Sequence, residues 1–348
     1  MLSKNSRTST VDVRKNMISF IMPAKNASLY IGQAIGSLCK TDYKDWELIV
    51  IDDNSTDGTY DILKQAKEAD SRIKVFKNKG SGKVIGLNYG YSLTSGEIIK
   101  CIDADDVLDE KFFGYHDIMI NYDALCHDCY ITTSDLRVIG NYSIDKSILN
   151  NNFSFCLKYL KSLPRCAWSF TRSIGDRIFP MPTALPFEDV WFSLMIKKYA
   201  KRICYINDKL YYYRQHDNQA FGGILNFNSE VVSFRAKRML DFIDVIVNEQ
   251  TELLVQGTND AAFFDGMRHF YELLTRKKVN LVEIFKSKIP LEFRLKLIIY
   301  KKLSFLAPLI IRLKWFLDKM RKGATTPRNN LLVNNQSSFV GQVKSENR

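Results

Sequence analysis

Seven cysteines in 348 residues, an odd number scattered at Cys39, Cys101, Cys126, Cys129, Cys156, Cys166 and Cys204, leave the chain without a disulfide framework, and reduced thiols are expected. No second Cys or His pair stands at zinc-like spacing from Cys126-His127-Asp128-Cys129, so that segment reads as ordinary thiols rather than half a zinc site. Residues 1–16 are mostly Ser, Thr, Lys, Arg and Asn. They lack the charged start and apolar stretch of an export leader, so export is not expected and the segment is read as disordered. Missing as well is an unbroken apolar run of the roughly 20 residues that spanning a bilayer needs. The best stretch, Leu295 to Leu313, is interrupted by Lys296, Lys301, Lys302, Pro308 and Arg312.

What is present is an ordinary globular composition, 46% hydrophobic and 25% charged, enough for one sizeable core plus an appendage. A formal net charge of +12 favours phosphorylated substrates, polyanions or anionic lipid. Acidic residues nonetheless crowd two places, Asp52-Asp53 and Asp103-Ala104-Asp105-Asp106. Carboxylates this dense repel one another and lose solvation, so they persist most comfortably beside a divalent cation or a bound polar ligand.

The apolar pattern places both clusters. Met17–Met22 and Trp46–Ile51 read as strands joined by a helix carrying Leu29, Ile31, Ala34, Ile35 and Leu38. A helix capped by Thr56 or Asp57 runs to about Ala69, followed by a strand at Ile73–Phe76, a helix over Val84–Leu93 and a strand at Ile98–Ile102. Such alternation predicts an α/β fold with a mostly parallel sheet and helices on both faces, whose ligands gather outside the carboxyl ends of the strands. Asp52 and Asp53 follow one strand, and Asp103, Asp105 and Asp106 follow another, so strand polarity brings both clusters to one rim.

Short strands are expected around Tyr130–Ser134, Trp168–Thr171, Ile203–Ile206 and Leu210–Arg214, with a helix over Val190–Tyr199 whose first turn holds Glu188 and Asp189. Helical spacing returns in Phe234–Val247 and Ala261–Leu274. Residues 285–322 are basic and amphipathic, which suits either an anionic membrane surface or a helix pair packed on the domain. The expected organisation is a catalytic domain over 17–220, a basic helical region over 221–322 and a disordered tail over 323–348.

Taken together, Met22-Pro23-Ala24-Lys25-Asn26, Asp52-Asp53-Asn54-Ser55-Thr56-Asp57-Gly58, Asn88-Tyr89-Gly90, Gly96-Glu97, Asp103-Ala104-Asp105-Asp106 and Glu188-Asp189 resemble the family-2 inverting glycosyltransferases with the Rossmann-like GT-A fold, over about 17–216. The resemblance implies transfer of a sugar from a nucleoside diphosphate donor, a UDP-sugar first, to a hydroxyl of a glycan or lipid-linked acceptor, with inversion. It implies a surface polysaccharide or glycolipid product and a cytoplasmic enzyme lying on a membrane face. Mn²⁺ or Mg²⁺ is the implied cofactor, held by Asp105 with Asp103 or Asp106. Asp53 matches the carboxylate that grips uracil or thymine, with Asp52 structural or near the ribose. Pro23, Lys25, Asn26, Asn88 and Arg214 fall in the donor-binding segments. Asp189 matches the general base, and Glu188 orients the acceptor or supports its loop; either would otherwise serve the helix N-terminus. His216 matches a residue that reaches the metal or the diphosphate, or is an ordinary loop histidine. One departure stands out: Leu87 occupies the position before Asn88 where relatives often carry Arg, and Lys83 is the candidate substitute for the lost phosphate contact.

Rival readings explain less. A nucleotidyltransferase needs a Gly-rich basic loop after the first strand, which Pro23-Ala24-Lys25-Asn26 is not. A nucleic-acid binder leaves both acidic clusters without a task, so no nucleic acid is expected. An inactive relative acting in assembly has no reason to keep Asp103, Asp105 and Asp189.

Overall fold

The computed structural model describes residues 14–216, 229–249, 261–287, 289–302 and 331–335. Its first half follows the alternation of the sequence: β1 (Arg14–Ala24), α1 (Ile31–Cys39), β2 (Trp46–Asp52), α2 (Thr59–Ala69), β3 (Ile73–Lys77), α3 (Lys83–Ser92) and β4 (Gly96–Cys101). β1 begins earlier than its apolar letters suggest, pairing Arg14 with Gly96 and so drawing in residues expected to lack structure. β1 lies parallel to both β2 and β4, and β2 parallel to β3. Every residue of β2 is buried, which is why its letters run apolar without alternating. Its one charged interior residue, Glu47, is satisfied by Ser19 Oγ at 2.7 Å, Lys74 Nζ at 2.7 Å and the Ser95 N–H at 2.6 Å.

The chain steps from β1 to β2 to β3 in one direction, then returns to the far side of β1 as β4. Right-handed crossovers therefore put α1 and α2 on one face of the sheet and α3 on the other. The reversal lies between β1 and β4, the switch point where open α/β sheets bind ligands. α3 settles closely on the sheet at Gly90, where a Cβ would come within 2.6 Å of the Ile21 side chain.

Beyond β4 come β5 (Val107–Leu108), α4 (His116–Ile120), β6 (Ala124–Thr132), β7 (Val138–Tyr142), the short α5 (Ser147–Asn150) and α6 (Phe153–Lys158), β8 (Trp168–Thr171), α7 (Arg172–Ile178), α8 (Asp189–Tyr199) and β9 (Arg202–Arg214). Here the sheet becomes mixed: β8 is antiparallel to β4 and β6, while β6 runs parallel to β9. The strand expected at Tyr130–Ser134 starts earlier, at Ala124, and the two strands expected at 203–206 and 210–214 are one, β9, bent by register shifts against β6. Successive residues of β6 face opposite sides of the sheet, so Cys126 and Cys129 point apart and cannot share an ion. His127 instead meets Lys100 Nζ at 3.0 Å.

The helical region comprises α9 (Ser229–Glu249), α10 (Ala261–Thr275), α11 (Leu281–Lys286) and α12 (Leu291–Lys302). It joins the sheet domain at the loop before α8, where Phe187 stacks on Phe242 with ring centroids 5.3 Å apart. Residues 303–322 of the expected basic stretch lie outside the described residues. One tail segment departs from expectation: β10 (Leu331–Asn335) pairs antiparallel with Arg202–Ile206 of β9. Leu331-Leu332-Val333 is apolar and β-prone, and this half of β9 otherwise presents an open edge.

Candidate active site

Asp53 leaves β2 buried and lies beneath the turn that opens α3. Its Oδ1 accepts from Asn78 Nδ2 at 2.8 Å and from the Gly82 N–H at 3.0 Å, while Oδ2 meets Lys25 Nζ at 3.2 Å. Gly82 has φ +98°, a left-handed conformation that glycine adopts without strain and that turns its N–H onto the carboxylate. Burial alone would raise the Asp53 pKa, but the Asn78 and Gly82 hydrogen bonds and the Lys25 charge lower it overall.

Lys83, next in sequence, reaches the other way. Its Nζ lies 2.9 Å from Asp103 Oδ1 and 3.2 Å from Glu188 Oε1. Burial and the neighbouring Arg165 pull its pKa down, yet the two carboxylates outweigh both and raise it. Consecutive residues thus touch segments 53, 103 and 188, and three acidic stretches far apart in the chain share one site at the strand ends.

Arg165 is the second cation of this site and one that motif reading misses. Its side chain is only 1% exposed, its Nη2 hydrogen-bonds Asp103 Oδ1 and its Nη1 lies 3.3 Å from Glu188 Oε1. Its backbone N–H also donates to Asp189 Oδ1 at 2.8 Å. The signal available was a lone Arg between Leu163-Pro164 and Cys166-Ala167-Trp168, a basic letter in an otherwise apolar run. With Lys83 it holds the half-buried Asp103 and the buried Glu188 ionised: desolvation raises both, and the paired cations lower both below their ordinary values. Asp189 moves the opposite way. Burial and the Glu188 charge push it up to about 6, against the weaker pull of Arg165. Adjacent carboxylates at the start of α8 are thus shifted in opposite directions, Glu188 down and Asp189 up.

The acidic loop after β4 is held from beneath. Arg214, 1% exposed, donates its backbone N–H to Asp106 Oδ1 at 2.7 Å, its Nε to the Asp105 carbonyl at 2.6 Å and its Nη2 to Gln33 Oε1 at 2.7 Å, and a further guanidinium nitrogen hydrogen-bonds the Ser134 carbonyl. In this arrangement the Arg214 guanidinium braces the loop. Both ends of the Asn88 amide pair with the Met181 backbone at 2.8 Å and tether the loop that leads to α8. Asn26 uses its side-chain oxygen on the Thr56 N–H at 2.9 Å, and Asp52, buried, faces the Ser55 N–H at 3.4 Å. Pro23 sits within β1 opposite Ile51. Asn26 is exposed and Pro23 half-buried, whereas Asp52 lies inside.

His216 is brought to the site. Its Nε2 lies 2.9 Å from Asp105 Oδ2, and its ring packs on Tyr30 at 4.9 Å between centroids. Behind this pair, ligand atoms of Asp103, Asp106 and Cys166 lie within 4.8 Å of one another. Asp106 Oδ2 is buried without a hydrogen-bond partner, and burial with the neighbouring Asp105 and Asp103 charges raises its pKa well above the usual range. A carboxylate left unsatisfied in this way, beside an Asp105–His216 pair that is partly open to solvent, fits a divalent cation: oxygen and imidazole donors suit Mn²⁺, and oxygen donors Mg²⁺. By contrast, a hollow of about 290 Å³ between α9, α10 and α12 has no carboxylate in its lining.

A family model described as Glycosyl transferase family 2 matches residues 19–162, which span β1 to α6 and hold Asp53 and the 103–106 loop. Over 314 residues the chain is 27% identical to the glycosyltransferase GlyG of Streptococcus pneumoniae serotype 4, covering 81% of this chain and 95% of that protein. It is 29% identical over 188 residues to WfgD of Escherichia coli, a UDP-Glc:α-D-GlcNAc-diphosphoundecaprenol β-1,3-glucosyltransferase, covering 52% of this chain and 70% of that one. Among solved structures it resembles S. aureus TarS 1–349 in complex with UDP-GlcNAc, with a TM-score of 0.52 at 16% identity over 94% of this chain and all of the other. That last likeness concerns the fold.

Proposed function

This chain belongs to glycosyl transferase family 2 and has the GT-A fold, and from that premise we propose that it moves a sugar from a UDP-sugar to a hydroxyl of a glycan or lipid-linked acceptor, inverting the anomeric centre, in surface polysaccharide biosynthesis. The observation that carries the reading is the divided carboxylate pair at the start of α8, Glu188 neutralised by Lys83 and Arg165 and Asp189 raised to about 6.

Inversion by direct displacement needs one group to take the acceptor's hydroxyl proton as it attacks. Asp189 suits that task, because a base with a pKa near the working pH is ionised yet still basic. Arg165 fixes one of its oxygens through the backbone N–H. Asp53 grips the pyrimidine imide N–H; Lys25, exposed at the edge, is the partner that yields its place at Oδ2. Lys83 takes over phosphate contact from the arginine that is absent at position 87, turning from Asp103 and Glu188 toward the donor's diphosphate. Asp105 and His216 would hold Mn²⁺ or Mg²⁺, with Asp103 and Asp106 beneath, and the cation when bound stabilises negative charge developing on the leaving diphosphate. Among the described residues no helix is long and apolar enough to cross a membrane. Reaching a lipid-linked acceptor then calls for a peripheral position, which we place on the cytoplasmic face.

A panel of nucleotide sugars tests the donor, scored by thermal stabilisation with and without Mn²⁺, since a ligand that prefers the native state raises its melting temperature. A UDP-sugar that stabilises only with the metal, and that yields a product of opposite anomeric configuration by NMR, is expected. Stabilisation by no nucleotide sugar, or a product with retained configuration, would overturn the reading.

A further inference from the structure

From α11 and α12 we infer an interfacial surface that docks on a bilayer of anionic lipid. Two short helices here leave large apolar side chains in water: Leu281, Val282 and Phe285 on α11 are 43%, 55% and 61% exposed, and Leu291 and Leu295 on α12 are 70% and 56% exposed. The opposite positions, Ile284, Phe293 and Leu297, are buried, so each helix is already packed and the exposed side chains form a second apolar face. Arg294 locks the corner between the helices, donating to the carbonyls of Ile289 and Ser287 at 2.7 Å and of Phe285 at 3.3 Å. The apolar residues therefore sit on a firm edge rather than a loose end.

The charge around this corner selects the occupant. Residues 276–302 carry nine Lys or Arg against Glu283 and Glu292, and Glu283 is taken by Arg276 at 2.6 Å. Lys277, Lys278, Lys286 and Lys296 are exposed. Protein interfaces are depleted of lysine and concentrate their binding energy in Trp, Tyr and Arg. An anionic headgroup layer wants the reverse: lysines at the level of the phosphates and Leu, Val and Phe a few ångströms deeper. Leu281 and Val282 lie before the basic amphipathic stretch of residues 285–322, so the surface is set by packing rather than by a long apolar run.

This surface deepens the reading of a lipid-borne acceptor, and it is tested without sugar transfer. The full-length protein is floated with vesicles of phosphatidylglycerol and phosphatidylcholine, and with pure phosphatidylcholine, beside two variants: Phe285→Ser with Leu291→Ser and Leu295→Ser, and Lys277→Glu with Lys278→Glu and Lys286→Glu. Wild type is expected to float with the anionic vesicles and poorly with the neutral ones. Each variant should lose at least about tenfold in partitioning at an unchanged melting temperature. Wild type that ignores anionic vesicles, or binding that survives in both variants, would overturn the inference. So would lipid-free self-association that the Ser variant abolishes, which would make the surface a contact between copies of the chain. In all these outcomes transfer to a soluble acceptor stands or falls by itself.

Discussion

At the strand ends Lys83 and Arg165 turn onto Asp103 and Glu188, whereas Lys286 on α11 and Lys296 on α12 are exposed among exposed Leu, Val and Phe. One region holds buried charges that would be intolerable singly and are tolerable as a network; the other holds apolar groups that would be better covered. Both depart from what stability alone would choose, in opposite senses. The first is preorganised for a charged ligand that enters it, and the second for a surface that the protein itself approaches. A net charge of +12 cannot separate these uses, but where each cation points does.

Changes that break the first region should cost most. Asp105→Ala removes the partner of His216 from the open side of the rim and is expected to reduce metal-dependent transfer to background; full turnover with Mn²⁺ would remove Asp105 from the metal's holders. Arg165→Met strands the buried Glu188 and the half-buried Asp103, and urea unfolding should show a loss of about 3–5 kcal/mol, the usual result of removing one partner from a buried ion pair. A loss under 1 kcal/mol would mean that Lys83 alone neutralises the pair.

Smaller effects sharpen the contrast. Because Asp189 must be ionised to accept a proton and its pKa is raised to about 6, kcat/KM should fall about tenfold per unit as pH drops below that value. Asp103 and Glu188, both held low, should add no step in that range. A profile flat from pH 7 to 5 would separate Asp189 from proton transfer. Smallest of all, Leu291→Ser on the exposed face of α12 should change stability by no more than about 0.5 kcal/mol in a melting experiment. A larger loss would show that the face is packed after all.

Much of this was legible in the letters. Continuous apolar strands and acidic clusters at strand ends dictate the parallel half of the sheet and the rim on which Asp53 and Asp103 meet. The cap expected at Thr56 or Asp57 is not made: Gly58 takes that position before α2, with no side-chain cap. Local pattern says less where tertiary pairing decides. β9 reads as two strands because Asn207 and Asp208 interrupt its apolar letters, yet pairing with β6, β5 and β10 carries it through. Motif matching located the carboxylates but not their counter-ions, since Arg165 lies 62 residues from Asp103 and belongs to no acidic motif. The loop-bracing hydrogen bonds of Arg214 and Asn88 were likewise not visible in their motifs. A side chain's chemistry is visible in sequence; whether its polar atoms are already engaged is not.

The central claim is that Asp189 accepts the acceptor's proton inside a site that binds the donor without it. Single-turnover transfer by Asp189→Asn, at UDP-sugar and Mn²⁺ concentrations shown by calorimetry to saturate the variant, tests this most directly. The account predicts donor affinity close to wild type and a transfer rate lower by about 10²–10⁴. Transfer at the wild-type rate by the saturated variant would contradict it.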